Sequence, residues 1–233
     1  MLSTFLQTTA DAVEAVPVQE ELSFSLISMA AKGGWLMLVL LALSIVAIYI
    51  FGKKWWAIRQ AGKIDKNFIK DVDNYLMEGK IRSAHALCKR SDTPIARMID
   101  KGVERIDKPL SDIRIAVENV ANVEVAQLEK GLPALATIAG GAPMIGFLGT
   151  VMGMVQAFFN MAQAGNNIDI TLLSGGIYTA MITTVGGLIV GILAYFGYNF
   201  LTSQMTSLVA KMEAASIEFL DAAQARKETK TQA

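Results

Sequence analysis

The chain has 233 residues, 53% hydrophobic and 18% charged, and its 21 basic and 21 acidic side chains cancel to a formal net charge of zero. Soluble domains carry about 45–50% apolar and about 25% charged residues, so this balance fits a polytopic membrane protein with a modest soluble part. Zero net charge gives no sign of a nucleic-acid partner, and the single cysteine, Cys88, excludes an internal disulfide and a thiolate-cluster metal site.

Residues 1–31 form an N-terminal segment that opens polar and acidic, with Asp11, Glu14, Glu20 and Glu21. With neither a basic n-region nor a continuous apolar core, it does not read as a cleaved signal peptide. From Leu22 the pattern turns amphipathic, with Leu22, Leu26, Ile27 and Met29 near helical spacing. That fits either a short helix lying on the membrane surface or a frayed extension of the next helix. Lys32-Gly33-Gly34 interrupts it. Residues 35–56 then read as a first transmembrane helix: Trp35 to Phe51 is apolar, and Lys53, Lys54, Trp55 and Trp56 close it. Basic and aromatic residues in that position mark a membrane–water interface. A core of Leu, Val and Ile predicts a lipid-facing helix.

Residues 57–130 hold most of the charge and predict a cytoplasmic helical domain. Phe68, Ile69, Val72 and Leu76 make one helical face ended by Gly79. A second helix is expected over 81–89, with Ile81, Ala84, Leu87 and Cys88 inward. Thr93-Pro94 starts a third, and Pro109 and Ser111 announce a fourth with Ser111 as N-cap. That fourth helix is expected to run without a clear break into Leu132, with Pro133 absorbed by neighbours or a local kink. No phosphate-binding glycine loop and no nucleophile–base pair stands out, so no bond-breaking activity and no cofactor are expected.

Residues 132–162 form the second predicted transmembrane helix. This stretch has no charged residue and exceeds the roughly 20 apolar residues a spanning helix needs. It is crowded with small residues, including Gly146, Gly149 and Gly153, and carries Thr150 near its middle. Gly149-x-x-x-Gly153 is a face that admits another backbone closely. A short loop over 163–169 contains no Lys or Arg, and Asp169 reads as the N-cap of the next helix. Residues 170–200 are the third transmembrane helix, again glycine-rich, with a second close-packing pair, Gly187 and Gly191, and with hydroxyls at Thr179, Thr183 and Thr184. Beyond it, in the cytoplasmic helix and tail 201–233, Leu201, Met205, Leu208, Met212, Ala215 and Phe219 make a heptad-like stripe, and the polar end RKETKTQA is expected to be a disordered tail. The third span is therefore expected to continue as a long cytoplasmic helix.

Apart from Lys32, every Lys and Arg lies between the apolar cores of the first two spans or after the third. The positive-inside rule puts both regions in the cytoplasm, N-terminus out and C-terminus in. The fold class is thus an all-α membrane protein with three transmembrane helices and long cytoplasmic helical extensions.

The second and third spans contain no carboxylate, lysine or histidine. Intramembrane ionisable groups usually mark ion pathways, so any titrating group must come from a partner. Thr150, Thr179, Thr183 and Thr184 either bond carbonyls of their own helices or line a polar surface for water or a partner's carboxyl group. The glycines have two readings as well, packing within one chain or against another. His85, without carboxylate or cysteine company, reads as structural and not as a metal ligand. Glu118, Glu124 and Glu129 read as a solvated helix face or as a cation-attracting mouth. Tyr178 and Phe158 fit either partner contact or ordinary membrane packing.

The pair LPALATIAGGAPMIGFLGTVMGM and GIYTAMITTVGGLIVGILAYFGYNF resembles the MotA/TolQ/ExbB proton-channel family, and its ExbB/TolQ branch most closely. The resemblance spans roughly residues 25–220 and is strongest over 130–200. It implies a ring, typically a homopentamer, in the bacterial inner membrane, surrounding a dimeric single-span ExbD/TolR-like partner that supplies an essential aspartate. Ion flow would then drive a TonB-like energy transducer serving the outer membrane. On this resemblance Thr150 and Thr184 match the family threonines that face the partner's aspartate. Thr179 departs from it, standing in GIYTAM where ExbB and TolQ proteins carry glutamate. A proton relay through a ring glutamate is thereby put in doubt, and sodium stays open as the coupling ion. A TolQ-like envelope or gliding-type motor, or a non-conducting scaffold for the partner, are the alternatives.

Overall fold

The computed structural model describes residues 33–65, 67–164 and 170–232; the amphipathic 22–31 segment, residues 165–169 of the loop and the Asp169 cap lie outside them. Among the described residues seven helices run in chain order: α1 Gly34–Ala61, α2 Phe68–Met77, α3 Ile81–Ser91, α4 Pro94–Glu104, α5 Leu110–Glu129, α6 Leu132–Ala164 and α7 Ile170–Gln232. There is no strand among the described residues. Three stretches of the described residues are long and apolar enough to cross a membrane, and they centre on α1, α6 and α7. Their outward faces stay apolar, with Leu38, Ile48, Met144, Phe147, Leu193 and Phe196 each more than 60% exposed. That is what hydrocarbon rather than water requires of a surface.

The 63 residues of α7 form one unbroken helix, about 95 Å long at 1.5 Å per residue, three times the thickness of a bilayer core, and it continues to Gln232 through the stretch expected to be a disordered tail. Its half beyond the apolar span is held by the stripe anticipated from spacing: Leu201, Met205, Leu208, Met212, Ala215 and Phe219 are all buried. They pack into the small bundle of α2–α5, whose inward residues include Val72, Leu76, Ile95, Met98, Ile99, Ile113 and Val117. Gly102 on α4 makes room for the Phe219 ring, since a Cβ there would overlap the ring and lie 2.9 Å from Val117 Cγ2.

The bundle helices begin and end for local reasons. Thr93 caps α4 by accepting a hydrogen bond from the Ala96 N–H at 3.2 Å, with Pro94 in the first turn where its missing donor is harmless. Gly79 takes φ +73° after α2. The start of α5 differs from expectation: Pro109 holds the cap position and Ser111 lies inside the first turn. The expected continuity from α5 into the second span also fails. Lys130 turns extended, Gly131 adopts φ +98°, and α6 starts afresh at Leu132. Pro133 therefore falls in a first turn and needs no kink. Lys54 of α1 stitches this break, donating to the carbonyls of Gln127 at 3.3 Å and Leu128 at 3.1 Å, at the negative end of α5.

Two polar groups sit where the sequence did not suggest. Glu124 is buried rather than part of a solvated face, and Arg97 grips it with two parallel bonds of 2.7 and 2.6 Å. Arg97 also bonds Asp92, the residue that ends α3 in a left-handed conformation. The Glu124 carboxylate holds the Arg97 guanidinium above its ordinary pKa. His85 is not without carboxylate company: its Nδ1 lies 2.5 Å from Asp100 Oδ1.

Candidate functional site

The two glycine-rich spans pack against each other antiparallel, and the fit depends on missing side chains. A Cβ on Gly187 would lie 2.6 Å from the Ala142 carbonyl oxygen and 2.8 Å from Gly146 Cα. One on Gly146 would lie 3.0 Å from the Thr183 carbonyl oxygen, and one on Gly153 would lie 2.7 Å from Ala180 Cβ. Gly149 faces Thr183 so closely that a Cβ would overlap its Oγ1, and Gly191 receives the Pro143 ring, 2.5 Å from where a Cβ would stand. Gly146, Gly149, Gly153, Gly187 and Gly191 thus all lie in the α6–α7 seam of one chain, where backbones meet without intervening side chains. By contrast, a Cβ on Gly140, Gly141 or Gly175 would meet nothing within 4 Å.

The first span leans on α7 through the same kind of relief. Met37 packs on Gly186 and Phe51 on Gly197, where a Cβ would come within 3.0 and 3.1 Å respectively. Phe51 and Phe200 add a tilted ring pair with centroids 6.3 Å apart.

The hydroxyls divide by position. Thr183 is 2% exposed and donates to the Ala180 carbonyl at 2.8 Å on its own helix. It is a buried seam residue, so the expectation that it presents its hydroxyl outward does not match its geometry within the chain. Thr184 donates across the seam to the Gly146 carbonyl at 2.9 Å. Thr150 donates to the Phe147 carbonyl at 2.6 Å and stays half-buried. Thr179 is half-buried on the side of α7 that opens to a cleft of about 360 Å³, at the end of the spans away from the bundle.

That cleft brings Thr179 and Thr183 together with Gly149 and Gly153 of α6 and the N-terminal end of α1, but Thr150 and Thr184 are not in its wall. Two further polar residues line it, Gln156 and Asn160, which sequence reasoning passed over. Their signal was legible: two amides one helical turn apart in an otherwise apolar span are expensive in lipid unless they face polar company. The four threonines therefore do not form one surface. A polar cleft at the end of the spans away from the bundle and a hydroxyl-bearing seam at mid-depth are separate features.

What this geometry defines is a class: a membrane-embedded helix pair with a tight glycine seam, mid-depth hydroxyls and no carboxylate, lysine or histidine in its apolar spans, carried on a small helical bundle. The family model of the MotA/TolQ/ExbB proton channel family matches residues 90–214, more than half the chain and including the α6–α7 pair. The chain belongs to that family, in its ExbB-like branch. It is similar to the biopolymer transport protein ExbB-like 1 of Synechocystis sp., 29% identical over 174 residues, 74% of this chain and 68% of that one. A biopolymer transport protein ExbB homolog of Methanothermobacter thermautotrophicus is 27% identical over 190 residues, 81% of this chain and 67% of that one. The biopolymer transport protein ExbB of Neisseria gonorrhoeae is 35% identical over 107 residues, covering 46% of this chain and 48% of its own. Family and helices together make this a multi-pass membrane protein.

Proposed function

We propose that the chain is the ExbB-like subunit of an ion-driven motor in the bacterial inner membrane. Several copies, five on the family pattern, would surround the membrane helices of an ExbD/TolR-like dimer. The complex would energise a TonB-like protein for transport across the outer membrane, and the chain itself would break no bond. The observation that carries this reading is chemical. Both seam helices are free of carboxylate, lysine and histidine through their apolar spans, yet they hold Thr150, Thr179 and Thr184 partly accessible. Hydroxyls can hydrate or orient an ion but cannot exchange a proton at neutral pH, so the titrating carboxyl group must be the partner's.

Outward-facing small residues support assembly. Gly140, Gly141 and Gly175 leave open space beside the spans, which suits close approach of another helix. A second reading has its own support: Thr183 and Thr184 spend their hydrogens on carbonyls, as a purely structural seam would. On that reading the chain is a non-conducting scaffold that holds the partner.

The test is co-expression with a single-span partner carrying a membrane aspartate, followed by reconstitution and comparison of proton and sodium gradients. Partner-dependent flux under one gradient supports the motor reading and names the ion. An intact complex silent under both, with a leaky partner variant also silent, would favour the scaffold.

A further inference from the structure

The loops between α3 and α4 fold these helices side by side, and this brings together three donors that are apart in sequence. Asp100 and Glu104 stand one turn apart on the same face of α4. His85 faces them from α3. One donor atom from each of the three lies within 4.8 Å of the others. Asp100 Oδ1 is sealed from solvent and has no well-directed hydrogen-bond partner, although His85 Nδ1 is only 2.5 Å away. The His85–Asp100 contact is thus close but poorly directed, and a cation held between the two groups would satisfy both. Glu104 commits one oxygen, Oε2, to Lys101 at 2.6 Å, which leaves its second oxygen for another partner.

We infer that His85, Asp100 and Glu104 form a binding site for a divalent first-row transition-metal ion such as zinc, which clamps α3 to α4 in the cytoplasmic bundle. One imidazole nitrogen and two carboxylate oxygens are a donor set that suits zinc, and the hard–soft balance disfavours magnesium and calcium, which prefer oxygen alone. Tetrahedral donors about 2.1 Å from zinc stand about 3.4 Å apart, between the 2.5 Å and 4.8 Å spacings seen here, so small side-chain rotations complete the geometry. His85 and Glu104 are both partly exposed, which leaves solvent access for a water ligand and a route of entry. Lys101 sets the cost: it competes with the metal for Glu104.

The experiment is equilibrium dialysis of the full chain in detergent, purified without a polyhistidine tag, against zinc chloride at pH 7.5, with bound metal measured by mass spectrometry. Wild type is expected to hold one zinc per chain and to gain thermal stability with zinc. Both His85→Ala and Glu104→Gln are expected to weaken binding about tenfold or more. Glu104 is surface-exposed, so its variant decides the matter even where circular dichroism shows that His85→Ala has unfolded. Wild type that binds no zinc, or a Glu104→Gln variant that binds as wild type does, would overturn the site.

Discussion

Thr184 donates its hydroxyl to the carbonyl of Gly146, 2.9 Å across the α6–α7 seam. A carbonyl in mid-helix already accepts from its own helix, so this bond uses the oxygen's second lone pair and ties the two spans where Gly146 faces Gly187. A seam this tight leaves no room for an ion between the two helices of one chain.

The first prediction concerns the seam. Gly149→Ala puts a methyl where Thr183 Oγ1 and Cβ stand, the latter at 2.7 Å. Overpacking of this kind costs about 1–3 kcal/mol. A lowered unfolding midpoint in detergent is expected, whereas Gly140→Ala, with nothing within 4 Å in its own chain and Ala the better helix former, does not lower the midpoint of the isolated chain. Equal loss in both variants would mean that the seam is not where the strain falls.

The docking of α7 on the bundle is checked by a second pair. Gly102→Ala meets the Phe219 ring and lowers stability, again by about 1–3 kcal/mol. Phe219→Leu lowers it alone but restores part of the loss in the Gly102→Ala background. A double-mutant cycle on thermal midpoints reads the coupling, and strict additivity would refute direct contact.

Arg97→Ala leaves the buried Glu124 carboxylate uncompensated. Removing one partner of a buried pair costs about 3–5 kcal/mol in full burial; Arg97 is 42% exposed, so about 2 kcal/mol is expected after solvent screening. Joint replacement, Arg97→Met with Glu124→Leu, recovers most of it. Denaturant melts of the three variants give the comparison.

Cys88 is 1% exposed, and burial, with the negative charge of Asp100 as a lesser cause, pushes its thiol up to about 12. A raised thiol pKa favours the neutral form in the folded state. Its stabilising contribution is full below the unfolded value near 9, and fades as pH climbs from there toward 12. At pH 8 in chelator, maleimide should leave the native chain unlabelled and label it on unfolding; rapid native labelling would show an open bundle.

Much of this architecture is legible in the residues. The burial of Leu201 through Phe219 stems from their spacing, because a helix face that repeats every three or four residues must find an apolar partner. The cap at Thr93-Pro94 is local chemistry and reads directly. The α5–α6 break had a signal too, a glycine just past a helix end with proline two residues later, which is a stop pattern and not a kink. What stayed hidden depends on distant pairing. Glu124 looks like any helix-face carboxylate until Arg97, 27 residues away, is brought onto it. His85 looks alone until α4 packs beside α3. Thr183 and Thr184 are neighbours in sequence, but only the packed seam decides that one is sealed and the other reaches across.

The most direct test of the proposed pathway is ion flux through the co-reconstituted ring and partner, with the Thr150→Val, Thr184→Val double variant beside the corresponding double serine variant. Valine keeps the shape and removes the hydroxyl; serine keeps the hydroxyl and loses a methyl. Loss of flux with valine, retention with serine, and intact assembly in both are expected. Full flux through an assembled valine ring would contradict a pathway that depends on these hydroxyls.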